Sequence, residues 1–338
     1  MDEFHSWMKV TIIGYLLPRA SMVKIQKAQR ELEFQVGNGN HYLDSGQALS
    51  IANRKLFSQE KLYGIERIDF EFVPTYTVPG VADQDVVILQ VLTAGETWSV
   101  HNAWVKSKAL HTEMQDLVLD DNPSVKGKWA DYKVFLDYNH AIATGAANMI
   151  PVDGSMTPFL HGEWSYSTFV MPQHEVDPAT GLPLAADEVT GHIIGDDLSA
   201  SKGLVKAYAQ SRATVQPIDP AVPATMSTSF FNLLTDSGSQ EPELADVIED
   251  ENDQPPYDQN NYPGGSTNAD YPLVAGRQIV SSTHPNAVID GFVAQCGLVL
   301  FKVSAKKAGV FVDAPLCNIR VTYAPGMYKG VAAIDMGQ

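Results

Sequence analysis

The stretch LYGIERIDFEFVPTYT, residues 62–77, alternates between apolar and charged side chains and decides the fold class. Ile68, Phe70 and Phe72 fall on one side of an extended chain, and the charged residues between them fall on the other. A period of two is typical of a β-strand with one buried and one solvated face. Pro74 ends the pattern because proline cannot donate a hydrogen bond to a neighbouring strand. Such a strand needs an antiparallel sheet around it and a second layer over its aromatic side.

Further extended segments are spread from one end of the chain to the other. Residues 86–92, VVILQVL, are a short apolar run that predicts a strand buried on both faces. The pattern also predicts strands at residues 9–17, 131–137, 163–171, 287–293, 297–304, 309–312 and 317–323. Because both ends of the chain contribute strands, we expect them to close one shared sandwich. The sequence therefore predicts an all-β fold, an antiparallel jelly-roll β-sandwich with short helical insertions and long loops.

Helices are predicted only as insertions between these strands. Asp44 or Ser45 is placed to cap a short helix over residues 46–57. Val100, Trp104 and His111 recur near helical spacing and predict a helix over residues 97–119, which ends before the DDNP sequence at 120–123. A third helix is predicted over residues 203–213. The Trp-containing face of the second helix is typical of core packing.

The net charge limits the classes of function. The chain has 338 residues and a formal net charge of −17 at pH 7. A negative surface repels phosphate groups at long range, so a general nucleic-acid-coating role is disfavoured unless a local basic patch overrides the repulsion. The sequence contains no run of about 18 apolar residues, which a membrane-spanning helix needs. The apolar centre of the first twenty residues is preceded by Asp2 and Glu3, where a signal peptide would carry positive charge, and we expect that segment to be a strand.

Residues 215–272 differ in composition from the rest of the chain. They are rich in proline, and the part between Asp236 and Asp270 contains ten acidic residues and no lysine or arginine. Such a segment is too polar to fold alone, so we expect an acidic surface excursion from a single domain spanning residues 1–338. A cluster of four carboxylates lies within it, at Glu249, Asp250, Glu251 and Asp253. Solvation by water and salt relieves their repulsion in one interpretation, and a bound Ca²⁺ ion does so in the other; no other cofactor is predicted.

The one mildly basic stretch of any length lies in the first thirty residues. Its cationic side chains are Lys9, Arg19, Lys24, Lys27 and Arg30. Facing a polyanion is one hypothesis for them. Neutral pairing with acidic residues on a strand surface is the other.

The sequence lacks the common catalytic motifs. It has no phosphate-binding loop, no G-x-G-x-x-G and no G-x-S-x-G. His161, His174 and His192 could supply zinc ligands if the fold brought them together, and Glu163 with a loop aspartate could serve a hydrolase; solvated loop histidines are the alternative. Cys296 and Cys317 each lie beside an apolar run, which predicts buried free thiols. We expect no enzymatic activity.

Two segments resemble a known family. RIDFEFVPTYT, with Glu71-Phe72-Val73-Pro74, resembles the strand that capsid proteins of circoviruses and related circular single-stranded DNA viruses carry early in their jelly roll. CNIRVTYAP, which begins at Cys317, resembles the closing strand of the same capsids. Together the segments cover less than a tenth of the chain. The chain departs from the family in one respect, because it has no arginine-rich arm at its N-terminus to neutralise a genome.

The resemblance implies a coat protein that self-assembles in many copies into an icosahedral shell around a small circular genome. It further implies location in the virion, assembly inside the host cell and a weak contact with packaged single-stranded DNA. Three alternatives remain. The chain could hold two jelly rolls, about residues 1–150 and 151–338, as in the coat proteins of tailless membrane-containing phages. It could be an extracellular β-sandwich that binds carbohydrate on Trp164 or Tyr257, with calcium in the acidic loop, or a hydrolase on the same scaffold.

Overall fold

The computed structural model describes residues 27–143, 148–170, 179–180, 188–213 and 273–337. The helices within these ranges are α1 (Ser45–Asn53), α2 (Trp98–Asp121), α3 (Tyr138–Ile142) and α4 (Leu204–Ala213), with single 3₁₀ turns at Pro123–Val125 and Gln295–Gly297. The strands are β1 (Glu31–Val36), β2 (Gly39–Asp44), β3 (Lys61–Phe72), β4 (Val86–Thr93), β5 (Phe135–Asp137), β6 (Thr168–Val170), β7 (Glu188–Ile194), β8 (Ser201–Gly203), β9 (Leu273–Ser281), β10 (Asn286–Ala294), β11 (Leu298–Lys307), β12 (Val310–Val312), β13 (Cys317–Tyr323), β14 (Pro325–Tyr328) and β15 (Ala333–Asp335).

Most of these strands form two antiparallel sheets. Sheet I has the order β1-β13-β3-β10, and β15 also pairs with β3. Sheet II has the order β12-β11-β4-β9, and β2 also pairs with β11. A small mixed sheet, sheet III, has the order β5-β7-β6, with β8 also pairing with β7.

The path of the chain through sheets I and II is that of a jelly roll. The eight principal strands are β1, β2, β3, β4, β9, β10, β11 and β13. In chain order each of them lies in the opposite sheet from the one before, except β9, which pairs with β4 in sheet II. This is the antiparallel jelly-roll-like sandwich that the sequence predicts.

Residues between β4 and β9 form an insertion that contains α2, α3, α4 and sheet III. The principal strands of the sandwich come from 31–93 and 273–323, so both sheets combine strands from either side of residue 150. The boundary of the two-jelly-roll alternative therefore does not separate the strands of this sandwich. The acidic segment 215–272 lies outside the described residues, so its place on the surface stays a prediction.

The core between sheets I and II is built from the alternating residues that the sequence analysis began with. Ile68, Phe70 and Phe72 are at most 1% exposed. Ile319 and Val321 of β13 pair with Phe70 and Ile68 and are also fully buried. Cys317 in this core and Cys296 on the other side of sheet II are buried free thiols, which confirms that prediction.

A second core lies on the other face of sheet II. Leu92, Leu298 and Leu300 point away from sheet I and pack with residues of the insertion, among them Trp104 of α2 and Leu204 of α4. Sheet II is therefore the middle of three layers, with sheet I on one side and the insertion on part of the other. The described helices include none that is long and apolar enough to cross a membrane.

The prediction that β4 is buried on both faces is wrong for most of its length. Val87, Leu89 and Val91 are buried between the sheets, while the residues between them are partly exposed. A register irregularity follows Val91, and burial on the second face begins at Leu92, where the insertion covers the sheet.

Two strands predicted in the insertion are much shorter than expected. Residues 131–137 are all buried, but only Phe135–Asp137 pairs as a strand. Of the second predicted strand, 163–171, the structure describes residues 163–170, and of these only Thr168–Val170 pairs. The reason is that backbone groups of this region bond to side chains instead of to neighbouring strands. Val134 N–H donates to Gln59 Oε1 (2.7 Å), and Lys133 N–H donates to Ser167 Oγ (3.0 Å).

The predicted helices are confirmed with small shifts of their ends. The Asp44 carboxylate accepts a hydrogen bond from Gln47 N–H (3.1 Å) and caps α1, as predicted. Helix α1 ends at Asn53 instead of residue 57, and the next residue, Arg54, has a left-handed backbone with φ 54°. Helix α2 begins after Thr97, whose side chain caps it. The predicted first strand, residues 9–17, lies outside the described residues.

Candidate functional site

One end of the sandwich exposes a group of large apolar side chains. This end contains the loop between β3 and β4, residues 73–85, and the segment 308–316, which includes β12. We define the loop-end surface as the apolar side chains of these two segments that are exposed by half or more: Val73, Tyr76, Val78, Val81, Val310, Phe311 and Leu316. Large exposed apolar side chains that are concentrated in adjacent segments are typical of a site of interaction.

The two segments of the loop-end surface are fixed to one another. The Asp83 carboxylate accepts hydrogen bonds from Thr77 N–H and Oγ1, both 2.9 Å, and the backbone bond lowers the pKa of Asp83. The Asp85 carboxylate accepts from Ala308 N–H (2.6 Å). Lys307 Nζ donates to the Ala82 carbonyl. The apolar side chains are therefore presented on a bonded framework.

A second concentration of polar groups joins the insertion to the sandwich. The Asp44 carboxylate is 1% exposed and accepts from Gln59 Nε2 and Trp164 Nε1, both 2.8 Å, in addition to its capping bond. Burial raises the pKa of Asp44 to about 6, although these three bonds favour the charged form. Asp44 belongs to β2 of the sandwich and Trp164 belongs to the insertion, so the carboxylate bonds across the joint.

Two further buried carboxylates repeat this arrangement. Asp131 of the insertion accepts from Ser58 Oγ and from Gln59 N–H (2.8 Å) of the sandwich. Asp137 accepts from Tyr42 Oη and from His140 N–H, both 2.8 Å. Burial raises the pKa of both carboxyl groups. We call these contacts, with Asp44, the polar joint.

Gln59 lies at the centre of the polar joint and is fully buried. Its Nε2 donates to Asp44 and to the Val134 carbonyl (3.1 Å), and its Oε1 accepts from Val134 N–H (2.7 Å). The side chain thus bonds both backbone groups of Val134, as a neighbouring strand would. One glutamine connects a carboxylate of the sandwich to the backbone of the insertion.

His140 extends the polar joint towards residues 148–166. Its Nδ1 accepts from Leu136 N–H (3.1 Å), which leaves the proton on Nε2 to be donated to Asn148 Oδ1 (2.7 Å). Asn148 Nδ2 then donates to Gln47 Oε1 and to Tyr166 Oη, both 2.8 Å. Burial lowers the pKa of His140 to about 4, so the ring is neutral at pH 7.

Two tryptophans enclose a lysine at the outer rim of the joint. Lys133 Nζ lies 4.4 Å from the ring centroid of Trp129 and 4.7 Å from that of Trp164. The two indole centroids are 5.5 Å apart, and Trp129 is 41% exposed. Burial lowers the pKa of Lys133, against the pull of Asp131 and Asp44. On the other side, Trp164 and Tyr166 line an open depression of about 510 Å³.

His192 and Ser201 contact each other but lack the third member of a catalytic triad. His192 Nδ1 is 2.8 Å from Ser201 Oγ, while Nε2 is 2.9 Å from the backbone carbonyl of Asp196. Because Nε2 donates to that carbonyl, Nδ1 accepts from the hydroxyl, and both side chains are at most 2% exposed. The pair is a buried structural hydrogen bond between β7 and β8.

The predicted polyanion-facing residues fall mostly outside the described residues, where Lys9, Arg19 and Lys24 lie. Lys27 is exposed. Arg30 donates from Nη1 to the Tyr323 carbonyl (2.8 Å), and the same nitrogen lies 3.7 Å from Glu66. At Arg30, the one of these residues whose contacts are described in detail, the structure therefore agrees with the hypothesis of neutral pairing.

The predicted calcium cluster, Glu249, Asp250, Glu251 and Asp253, also lies outside the described residues, as do His174 and Tyr257. Of the remaining zinc candidates, His161 is exposed and bonds the Gly162 carbonyl, whereas His192 is fully buried. Among the described residues no group of three or more His, Cys, Asp or Glu side chains is placed to hold a metal ion.

Sequence reasoning missed the polar joint and the loop-end surface. Asp44 was identified only as a helix cap, and Asp131 and Asp137 only as the ends of a predicted strand. A usable signal was present, because DYKVFLD places charged residues inside a segment apolar enough to be buried. Tyr76, Val78 and Val81 offered a weaker signal, since apolar residues in a proline- and glycine-containing loop need a partner.

Comparison with known proteins adds no assignment: no family model, no curated protein and no solved structure matches this chain.

Proposed function

We propose that this chain is the coat subunit of a virion, which self-assembles in many copies into an icosahedral shell around a small viral genome. The observation that carries the proposal is the loop-end surface at one end of a jelly-roll sandwich. Jelly rolls serve in viral capsids and in lectins. An exposed apolar surface on a bonded framework favours the capsid role, because subunits of a shell bury such area against each other.

The two segments that resemble circovirus-like capsids support the same proposal. They form β3 and β13, which are adjacent strands of sheet I. Phe72 pairs with Cys317, and Ile68 pairs with Val321. Two segments about 250 residues apart in the chain thus meet as neighbours, as the strand order of a jelly roll requires.

The proposal is tested by the size of the purified protein and by one substitution with a matched control. Phe311→Asp places a charge on the loop-end surface at a side chain that is 66% exposed. Leu117→Asp makes the same change at a side chain of α2 that is also 66% exposed. We expect wild type and Leu117→Asp to form particles of about 60 or more copies by light scattering and negative-stain microscopy, and Phe311→Asp to remain a folded monomer. A wild-type monomer at high concentration across a range of salt would contradict the proposal.

Carbohydrate binding is the second candidate, favoured by the depression beside Trp164. The residues that line it include Phe135, Tyr166, Ser165 and Ser199. Aromatic rings and hydroxyl groups are the contacts that a neutral sugar uses. However, Tyr166 stacks on Phe135 with a centroid distance of 3.7 Å, so one face of its ring is already covered. Calorimetric titration with a panel of neutral oligosaccharides distinguishes the candidates, since a coat subunit without this site gives no binding heat.

A further inference from the structure

The outer faces of sheets I and II carry opposite charges. On the outer face of sheet I, five acidic side chains stand against Arg67 and Arg320, which leaves an excess of negative charge. We call these five side chains the acidic face: Glu31, Glu33, Asp69, Glu71 and Asp290.

Two ion pairs neutralise only part of the acidic face. Arg320 Nη2 lies 2.7 Å from Glu33 Oε1, and Arg67 Nε lies 3.2 Å from Asp69 Oδ2. Glu71 and Asp290 are exposed and are in no ion pair among the described residues. A depression of about 300 Å³ lies on this face between Glu71, Asp69 and Glu33.

The half of sheet II that the described part of the insertion leaves uncovered carries the opposite charge. Its register places Lys302 beside Gln90, Gln90 beside Arg277, and Lys306 beside Phe311. Strand alternation directs these side chains away from sheet I, because Phe301, Val303 and Ala305 between them fill the inner core. We define the basic face as Arg277, Lys302 and Lys306 with the apolar Ile88, Ile279 and Phe311; the last of these also belongs to the loop-end surface, which the basic face adjoins. The described residues of these rows include no acidic side chain, although the Asp137 carboxylate of the insertion attracts Lys302.

Several side chains of the basic face remain open to a partner. Arg277 is exposed, and Ile279 and Phe311 are 56% and 66% exposed. Lys306 Nζ lies 4.4 Å from the ring centroid of Phe311, so its charge is held over an aromatic surface. Lys302 and Arg277 flank Gln90 on opposite sides and are therefore about 10 Å apart across the sheet.

We propose that the acidic face of one copy binds the basic face of a second copy; this rests on the proposed function, since it names a contact through which the subunits assemble. The two faces lie on opposite sides of one sandwich, so they cannot meet within a molecule. A contact between two different surfaces is heterologous: a bound pair keeps one free acidic face and one free basic face for further copies, and such contacts form a ring where the rotation between copies closes. We favour a second copy over a nucleic acid because the chain itself supplies a surface of matching negative charge, the acidic face.

The test exchanges charges at three exposed positions and at Lys306, which is partly exposed. Arg277→Glu with Lys306→Glu makes both faces acidic, and Glu71→Lys with Asp290→Lys makes both faces basic. We expect each double variant to raise the protein concentration needed for assembly by about tenfold or more, because like charges then face each other. Glu113→Lys with Asp116→Lys, at exposed positions of α2, changes the net charge as much as the second double variant and is its matched control.

Mixing the two double variants shows whether loss of assembly comes from this contact or from the change in net charge. Each variant alone repels itself, because both of its faces carry the same charge. The Glu71→Lys, Asp290→Lys variant and the Arg277→Glu, Lys306→Glu variant carry opposite charges and therefore complement one another. We expect an equimolar mixture to regain assembly within about threefold of wild type, measured by light scattering at about 50 mM salt, where exposed charges are least screened.

Three results would overturn the inference. Wild type that never assembles would remove it together with the proposed function. Wild type that assembles, with double variants that assemble equally well, would remove this contact and leave the coat proposal standing. Loss of binding to a fluorescent oligothymidylate in the Arg277→Glu, Lys306→Glu variant, with normal assembly of the Glu71→Lys, Asp290→Lys variant, would assign the basic face to nucleic acid instead.

Discussion

The two faces of sheet II are held to their neighbours in different ways. Towards sheet I the contact is made by apolar side chains such as Phe70, Phe301 and Ile319. Towards the insertion, an apolar contact is accompanied by the polar joint, in which Asp44 and Asp137 are buried and hydrogen-bonded. Apolar packing is non-directional and proportional to the area buried. Hydrogen bonds to buried carboxylates are directional, and they lose much of their value if the partner moves.

The two contacts therefore have different roles: one stabilises the fold, and the other positions the insertion on the sandwich. The sandwich gets its geometry from strand pairing, so its core needs only to fill space. The insertion adds few strand pairs, because sheet III is short and residues 131–134 pair with no strand. Its position is instead set by side chains such as Gln59. We infer that the sandwich core supplies most of the folding free energy and that the polar joint fixes where the insertion lies.

The largest effect is expected from the apolar core. Phe70→Ala removes a ring that is 1% exposed, and the loss of a buried aromatic side chain costs about 3–5 kcal/mol. Such a loss approaches the whole stability of many domains. Denaturant unfolding followed by circular dichroism measures it. Phe311→Ala, at an exposed ring, is the control and is expected to change the free energy of unfolding by less than about 0.5 kcal/mol. Equal costs for the two variants would mean that β3 does not carry the core.

The next effect is expected in the polar joint. Gln59→Leu leaves the Val134 N–H and carbonyl without their partner, and it removes one of the two bonds to Asp44 Oδ2, which keeps the bond from Trp164. A buried group left unpaired costs about 1–3 kcal/mol. We expect about 3 kcal/mol in total and a local response. Native-state hydrogen exchange should show lost protection in β7 and α4 while β3 and β13 stay protected. Uniform loss of protection would show that the insertion and the sandwich unfold as one unit.

Lowering the pH should change the stability contributed by the polar joint but not that of the apolar core, because the titrating groups lie in the joint. The pKa of His140 is lowered from 6.5 to about 4 by burial, so the unfolded chain binds its proton first and stability is lost as the pH falls from about 6.5 through 4. The pKa of Asp44 is raised from 3.8 to about 6, so its contribution has the opposite sign: stability is gained as the pH falls from about 6 through 3.8.

Two variants test these opposing signs. His140→Gln should become more stable relative to wild type as the pH falls from 7 to 4, by up to about 3 kcal/mol. Asp44→Asn should become less stable relative to wild type over the same range, by a similar amount. Thermal or denaturant unfolding at several pH values measures the two differences. Differences that stay constant with pH would mean that neither side chain is buried in the state that unfolds.

The sequence could predict the parts of the molecule that rest on repeating patterns. The alternation around Phe70 located β3, the Asp44 cap located α1, and β13 has the predicted bounds of 317–323. β2 and β9 were missed because their strands have no clean alternation, and the partners that pair them are remote in the chain. Gln59 and His140 could not be predicted, since their roles depend on atoms brought together by three layers and not on local spacing.

The smallest effect is expected on the outer face of sheet I, where the ion pair between Arg320 and Glu33 is exposed to water. Glu33 Oε1 accepts from Arg320 Nε (2.9 Å) and Nη2 (2.7 Å), yet the arginine side chain is 47% exposed. Exposed ion pairs contribute about 0.2–1 kcal/mol, because water and salt screen the charges and two long side chains lose freedom. Arg320→Ala should therefore destabilise the chain by about 0.5 kcal/mol, and less at about 1 M salt. Denaturant unfolding at low and high salt measures this cost. A cost equal to that of Gln59→Leu would refute the argument that burial, and not the number of bonds to a carboxylate, decides what a polar contact contributes in this protein.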